Sequence, residues 1–347
     1  MISQANFDTT ARYSRQLLFH GIGANGQARL NAARVAIIGC GALGTAQAES
    51  LARAGVGYLR LLDRDFVELS NLHRQTLYTE ADAHARWPKA IACAQHLAEI
   101  NSAIEIVPEV ADVNQSNIER LIAGCDLVMD GTDNFATRYL INDACVKHGI
   151  NWIYGAAVSA YGVTQTIRPG ITPCLRCIFE EEPPIGSAPT CDTAGVIMPI
   201  IATVVAAQVT EALKLLTGQP EKLHNSLLQF DLWENEQRRI RLGVPNEKCP
   251  TCGLRQFATL DAENGEFAAA LCGRDAVQLS PPRAASLDLA VLARRWQPLG
   301  PVQANKYLVR LRVNAYELTV FRDARAIIRG TDDIAVARTL YAQYVGA

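Results

Sequence analysis

Four of the ten cysteines in this 347-residue chain are paired by spacing. Cys174 and Cys177 form "CLRC", and Cys249 and Cys252 form "CPTC". Thiolate sulfur is a soft ligand, and two C-x-x-C clasps fit a closed tetrahedral zinc site. A redox dithiol and inert thiols are the competing readings. Neither pair stands at the start of a helix after an early strand, where a thioredoxin motif would sit. The insertion between the pairs is longer than an ordinary zinc ribbon allows, so the ion would staple two distant segments of one domain. Cys40, Cys93, Cys125 and Cys145 occur singly in apolar or helical surroundings and are expected as small buried hydrophobes, as is Cys272. Cys191 is left unpaired in "EEEPPIGSAPTCDTAG", a Pro- and Glu-rich stretch expected to be an exposed, mobile loop.

A second chemistry is written in "VAIIGCGALG" (35–44), with "LRLLDRD" following it. An apolar strand, a turn containing Gly39, Gly41 and Gly44, a helix, and a strand ending at an acid make a dinucleotide-type binding unit. The turn lets backbone approach a phosphate at a helix N-terminus, which suits NAD, FAD, S-adenosylmethionine or ATP equally. Asp63, the last residue of the apolar strand, is a better ribose partner than Asp65. Asp133 in "CDLVMDGTDN" falls at the carboxyl end of another apolar run, where an open α/β sheet places its ligands. Arg15 on a polar segment and Lys89 in "WPKA" carry no signal by themselves.

These residues need a scaffold, and the rest of the sequence supplies it. Apolar residues make up 49% of the chain, enough for one large α/β domain and a smaller appendage. The formal net charge of −2 gives no basic footprint for DNA, RNA or an acidic membrane surface. No apolar leader occurs in "MISQANFDTTARYSRQ", so a cytoplasmic location is expected. The most apolar run, Pro199 to Leu216, is interrupted by Gln208, Glu211 and Lys214, which argues for a buried helix over a membrane span. A polar N-terminal helix including "RYSRQLLF" is expected, then alternating strands and helices through "NWIYGAAV". The architecture that follows is a Rossmann-like, doubly wound, mostly parallel sheet with a zinc-stapled extension. "GVTQTIRPG" is expected to extend that sheet antiparallel.

Taken together, "GCGALG", "LLDRDFVELSNLHRQ", "WPKA", "GTDN", "TCDTAGVIMPI" and the two C-x-x-C pairs resemble the ThiF/MoeB/HesA adenylyltransferases, bacterial relatives of ubiquitin-activating enzymes. The resemblance runs over roughly residues 10 to 254, with several independent motifs in order. It implies that the nucleotide is ATP and that Mg²⁺ and Zn²⁺ accompany it. By the resemblance, Asn71, Arg74 and Lys89 contact phosphates or ribose, Asp133 is associated with magnesium, and Arg15 reaches across a homodimer to the neighbouring subunit's ATP. Such a site neutralises charge spread over three phosphates while leaving the α-phosphate open to attack. Cys191 matches a loop cysteine that joins covalently to the activated carrier in ThiF-like members and is dispensable in MoeB-like ones. Both roles stay open.

The implied substrate is a small ubiquitin-fold sulfur carrier, ThiS- or MoaD-like, whose Gly-Gly carboxylate becomes an acyl-adenylate on the way to a thiocarboxylate for thiamin, molybdopterin or a related pathway. The same adenylation chemistry on a peptide or tRNA, a scaffold that has lost its chemistry, and a nicotinamide oxidoreductase are the alternatives. The chain is expected to divide into residues 1–254 and a small α+β domain, 255–347, with strands in "AVQLSP", "KYLVRLRV", "YELTVF" and "RAIIRG" and helices in "SLDLAVLARRW" and "DDIAVARTLYAQYV". Cys272 lacks the surroundings of a rhodanese cysteine, and "YVGA" is no free Gly-Gly tail. The small domain is expected either to dock the carrier or a sulfur donor protein, or only to stabilise.

Overall fold

A computed structural model describes residues 9–183, 190–262, 267–271, 275–280 and 286–346. The chain divides into two compact units, Met1–Ala262 and Glu263–Ala347. Cys272 and part of the Pro- and Glu-rich stretch lie outside the described residues.

The first unit is built on eight strands: β1 (Arg34–Ile38), β2 (Tyr58–Asp63), β3 (Glu105–Val110), β4 (Leu127–Asp130), β5 (Asn151–Val158), β6 (Tyr161–Ile167), β7 (Ser226–Asp231) and β8 (Glu236–Arg241). Their order in the sheet is β3-β2-β1-β4-β5-β6-β7-β8. The first five run parallel, and β6, β7 and β8 continue the sheet antiparallel. β1, β2 and β4 read as unbroken apolar runs because helices cover both faces of a parallel sheet. Val35, Ile37, Leu59, Leu61, Met129 and Ile153 face one core, together with helices Ala42–Ala54, Lys89–Ile100 and Met198–Leu216. Ala36, Ile38, Leu62, Val128, Trp152 and Tyr154 face the other, against helices Ile118–Ile122 and Phe135–His148. Each buried Val, Leu, Ile or Met among them contributes about 1.5–3 kcal/mol.

Helix Met198–Leu216 has the length and composition of a membrane span, with a mean hydropathy of 1.5 over its most apolar window. It nevertheless carries Gln208 and Glu211 fully buried, and both are satisfied by the protein. Gln208 Nε2 donates to the carbonyls of Asp130 and Ile153 (3.3 Å each), and the Glu211 carboxylate pairs with Lys214 Nζ at 2.7 Å. Polar groups matched to specific backbone partners mark a core helix.

The N-terminal helix departs from expectation. It is two single turns, Thr9–Arg12 and Ser14–Leu17, broken at Tyr13. Tyr13 turns inward, 4% exposed, and its hydroxyl accepts from Asn101 Nδ2 at 2.9 Å. Gln16 likewise turns inward and donates to Ala54 O at 2.8 Å.

The second unit is a six-stranded antiparallel sheet in the order β11-β12-β13-β14-β10-β9: β9 (Phe267–Leu271), β10 (Ala276–Ser280), β11 (Val302–Ala304), β12 (Leu308–Val313), β13 (Tyr316–Phe321) and β14 (Ala326–Arg329). Helices Leu289–Trp296 and Ile334–Tyr344 are each capped by an aspartate, Asp288 and Asp333, whose carboxylates accept from the second and third helical N–H groups. Trp296 is fully buried among Leu292, Val309, Leu318 and Leu340, and its ring N–H donates to Tyr344 O at 2.9 Å.

Candidate nucleotide site and thiolate cluster

β1 and β4 are neighbours, yet the chain leaves β1 toward β2 on one side and returns to β4 on the other. A crevice therefore opens between their carboxyl ends. Gly39 follows β1 with φ of 91°, a conformation side chains rarely adopt. The approach of the two strand ends leaves no room for a side chain. A Cβ on Gly39 would lie 2.6 Å from Gly131 O, one on Gly131 would lie 2.4 Å from Gly39 O, and one on Gly44 would lie 1.7 Å from Gly39 O. Helix Ala42–Ala54 thus starts directly against the strand end with Gly41 as its N-cap, and its free N–H groups can receive an anion. Gly131 was not singled out by sequence reasoning. Its motif was visible, but its contact depends on which strands pair.

Asp63 is fixed by the turn it faces. Its Oδ2 accepts from Cys40 N and its Oδ1 from Asp65 N, both at 2.7 Å. Burial raises its pKa above the ordinary 3.8, with Lys89 opposing that rise. Lys89 arrives from far along the chain because residues 65–67 pair with 87–89: Val67 N donates to Trp87 O at 2.9 Å and Lys89 N to Asp65 O at 2.9 Å. Its ammonium is buried, 3.1 Å from Asp65 Oδ2. The Tyr78 hydroxyl ties the same stretch to the glycine turn, donating to Cys40 O (2.7 Å) and lying 3.1 Å from Lys89 O.

Asn71 is buried at the end of the short turn Leu69–Asn71, where its Oδ1 accepts from Glu68 N at 3.0 Å in a reciprocal cap. Arg74 follows it, with Nη1 donating to Ser70 O at 2.9 Å. Asp133 is exposed just past β4, because the next residue, Asn134, caps helix Phe135–His148 by accepting from Thr137 N at 2.9 Å. Beneath it lies a buried ion pair that sequence reasoning missed. Asp130 accepts from Thr132 N (2.9 Å) and Thr132 Oγ1 (2.7 Å) and faces Arg138 Nε at 3.3 Å. Arg138 Nη2 donates to Thr132 O (2.7 Å) and Gly155 O (3.3 Å), fastening this loop to β5. Asp133 also lies in the field of Arg64 and Arg138. Burial works against both guanidinium charges, but the surrounding carboxylates outweigh it.

Two of the expected site residues stand apart from this crevice. Arg15 is exposed on the turn whose neighbours grip Ala54, at the far end of helix Ala42–Ala54. That end is roughly 20 Å from the glycine turn of the same chain. Cys191 is half-buried at the start of the single turn Cys191–Ala194, its Sγ 3.5 Å from Ala157 O. The segment after it pairs with the chain beyond β5: Ser159 N donates to Gly195 O (2.7 Å) and Ile197 N to Ser159 O (3.0 Å). Cys191 therefore sits at the carboxyl edge of the sheet, two strand spacings or roughly 10 Å to the side of β1.

The four paired cysteines converge, all sulfurs within 4.8 Å of one another. Cys174 and Cys177 are 3.9 Å apart, Cys174 and Cys249 3.6 Å, Cys177 and Cys252 3.3 Å. Zinc with bonds of about 2.3 Å to a tetrahedron of sulfurs requires separations of about 3.8 Å, so the cluster fits that ion. The hydrogen bond from Cys174 draws Cys177 down to about 4, and burial pushes Cys252 up to about 12. The clasps are braced by helix Phe135–His148. Asn142 Oδ1 accepts from Leu175 N (2.9 Å), while Asp143 accepts from Thr251 Oγ1 (2.9 Å) and Thr259 N (3.0 Å).

A glycine turn at the switch point of a doubly wound sheet, an acid at the end of β2 and a four-cysteine cluster able to hold a metal ion define a nucleotide-binding type of α/β protein. Comparison with known proteins narrows the class. The profile of the ThiF family matches residues 13–251, and the chain belongs to that family. It is 48% identical over 339 residues to the sulfur carrier protein ThiS adenylyltransferase of Bacillus subtilis, covering 97% of this chain and 100% of that one. It is 39% identical over 242 residues to the SAMP-activating enzyme E1 of Haloferax volcanii, covering 70% of this chain and 88% of that one. A crystal structure of E. coli MccB with ATP aligns at a TM-score of 0.61 and 25% identity, covering 70% of this chain and 74% of that chain.

Proposed function

We propose that this protein is an ATP-dependent adenylyltransferase acting on the C-terminal Gly-Gly carboxylate of a small ubiquitin-fold sulfur carrier of the ThiS type. The observation that carries this reading is the 48% identity to a ThiS adenylyltransferase over nearly the whole chain, second unit included. The crevice geometry supports it. The helix start at Gly41 and the cations Lys89 and Arg74 receive the phosphates, and Asp63 accepts from the ribose hydroxyls. The carrier carboxylate oxygen attacks the α-phosphorus, the bond from that phosphorus to the α,β-bridging oxygen breaks, and pyrophosphate leaves with its charge. Mg²⁺, held through Asp133, would supply further neutralisation of that charge. Zinc in the Cys174, Cys177, Cys249 and Cys252 cluster has a structural role. Arg15, too far to reach its own crevice, serves the partner subunit of a homodimer. The Cys191 thiolate attacks the carbonyl of the acyl-adenylate, forming a thioester with the carrier as AMP leaves. The second unit docks the carrier or a sulfur donor. A cytoplasmic location belongs to the same proposal.

The deciding experiment is pyrophosphate exchange into ATP with candidate Gly-Gly carriers added singly and Asp133→Ala as control. Exchange that depends on one carrier and is lost in the variant is the expected result. ATP binding without exchange for any carrier would overturn the carrier assignment in favour of a peptide, a tRNA or a non-catalytic scaffold.

A further inference from the structure

Strands β6 and β7 part before they end. The antiparallel ladder between them stops at Thr164 and Leu228, although β6 stays paired with β5 as far as Ile167 and β7 is paired with β8 from Ser226 onward. Asn225, with φ of 46°, turns the chain into β7 at this point, in a left-handed conformation that asparagine tolerates. The gap lies beside the start of β5, where Ile167 faces Trp152, and so at the amino ends of the parallel strands. That is the edge of the sheet opposite the nucleotide crevice.

A cavity of about 190 Å³ occupies the gap, the volume of about six liquid waters. Gln165, Thr166, Arg168, Thr172, Asn225 and Ser226 give it a polar lining, and no acidic residue is among those that line it. Arg168 is half-buried, and its guanidinium has no hydrogen bond or ion pair among the described residues. A second guanidinium stands behind Ser226, with Arg239 Nε donating to Ser226 Oγ at 3.1 Å. Gln165 is 1% exposed; its Nε2 donates to Pro173 O at 2.9 Å, while its Oε1 has no partner among the described residues. A buried acceptor of this kind is completed only by a donor. The rim is already fixed, because Thr172 Oγ1 accepts from Arg168 N at 2.8 Å and Thr172 N donates to Arg168 O at 3.0 Å. A ligand therefore meets a pre-organised loop.

We infer that this cavity is a binding site for a small hydroxycarboxylate, whose carboxylate pairs with Arg168 and whose hydroxyl donates to Gln165 Oε1. The inference is independent of the ATP reading. Both ends of the ligand follow from the lining. An unpaired guanidinium in a cavity without acids selects an anion, and a carboxylate matches its planar fork. The donor must be neutral, since an ammonium would enter beside two guanidinium groups with no lining carboxylate to meet it. The volume admits an acid of about three or four carbon atoms.

The test is titration calorimetry on the full-length protein without nucleotide, using lactate, propionate and alanine, which share one carbon skeleton. Lactate should bind. Propionate, which lacks the hydroxyl, should bind about tenfold more weakly, and alanine, with an ammonium in its place, should also bind more weakly than lactate. Arg168→Gln should weaken lactate by about tenfold or more, while ATP affinity and the melting temperature stay native, because the guanidinium it removes holds no other described group. Gln165→Met should bring lactate and propionate to one affinity, a ratio that a general loss of stability would not move. Absence of lactate binding to the native chain overturns the inference and leaves the cavity to water. Equal affinity of the native chain for lactate and propionate overturns it as well. So does an Arg168→Gln protein that binds lactate as tightly as the native chain, which would place the acid elsewhere.

Discussion

Lys89 holds its ammonium 3.1 Å from Asp65 Oδ2, with the lysine side chain 6% exposed and the aspartate 17%. A charge buried this far needs its counter-ion, so any phosphate that recruits Lys89 must compete with Asp65. Lys89→Met should lower pyrophosphate exchange by about a hundredfold or more. It should also lower the melting temperature, because Asp65 loses the Lys89 ammonium beside it. Adding Asp65→Asn should recover the melting temperature without recovering exchange, and thermal scans beside exchange assays would separate the two effects.

Asp63 makes the site sensitive to acid. Its folded-state pKa is raised by burial, so its protonation occurs at higher pH than for a free aspartate. Ribose hydroxyls donate to the ionised form, hence ATP affinity should fall as pH drops through that raised value. Stability of the ligand-free protein carries the opposite sign from this group, since the folded state takes up the proton first and is favoured as pH falls through the same window. Asp65 raises the Asp63 pKa electrostatically, so Asp65→Asn should move the acid limb of ATP binding to lower pH. ATP titrations across pH would show a limb unmoved, or moved upward, if Asp63 were uninvolved.

The placement of Arg15 predicts complementation between subunits. Arg15→Ala and Asp133→Ala should each abolish exchange alone. A refolded equimolar mixture should regain about a quarter of native activity, because half of the dimers carry one intact composite site. No recovery in a mixture shown to contain heterodimers would mean that Arg15 acts elsewhere.

Removing zinc should leave the sheet but loosen helix Phe135–His148, which Asn142 and Asp143 tie to the clasps. Chelation should release about one zinc per chain with four newly reactive thiols and a lower melting temperature. Cys249→Ser should do the same. Metal analysis of the purified protein that finds no zinc would remove this prediction.

The boundary between units sets the truncation that can test the second one. Phe257 and Leu260 pack into the core of the first unit, so a cut is best placed after Ala262. Loss of residues 263–347 should raise the carrier concentration needed for exchange while leaving ATP affinity unchanged. Equal loss of both would assign these residues a stabilising role.

Much of the site was legible because it is local. The strand, glycine turn and helix of residues 34–54 and the acid at 63 each follow from neighbours in sequence. So did the two thiol pairs, whose spacing alone announces a clasp. The remainder depends on pairing across the sheet. Lys89 finds Asp65 only because residues 65–67 lie beside 87–89, and Gly131 matters only because β4 adjoins β1. Asp130 and Arg138 are eight apart and look like surface charges until the fold buries both. Tyr13 likewise turns inward to Asn101, a partner that no local propensity reveals.

The clasps also impose an order on synthesis. Cys174 and Cys177 emerge from the ribosome well before Cys249 and Cys252, with helix Met198–Leu216 and strands β7 and β8 between them. Until the second pair appears, the first presents two thiolates with no closed site for an ion. An ion captured early would be held by half its ligands and remain exchangeable. Translation must therefore pass Cys252 before helix Phe135–His148 receives its final support, and the crevice that begins near the start of the chain is completed only when most of the chain has been made.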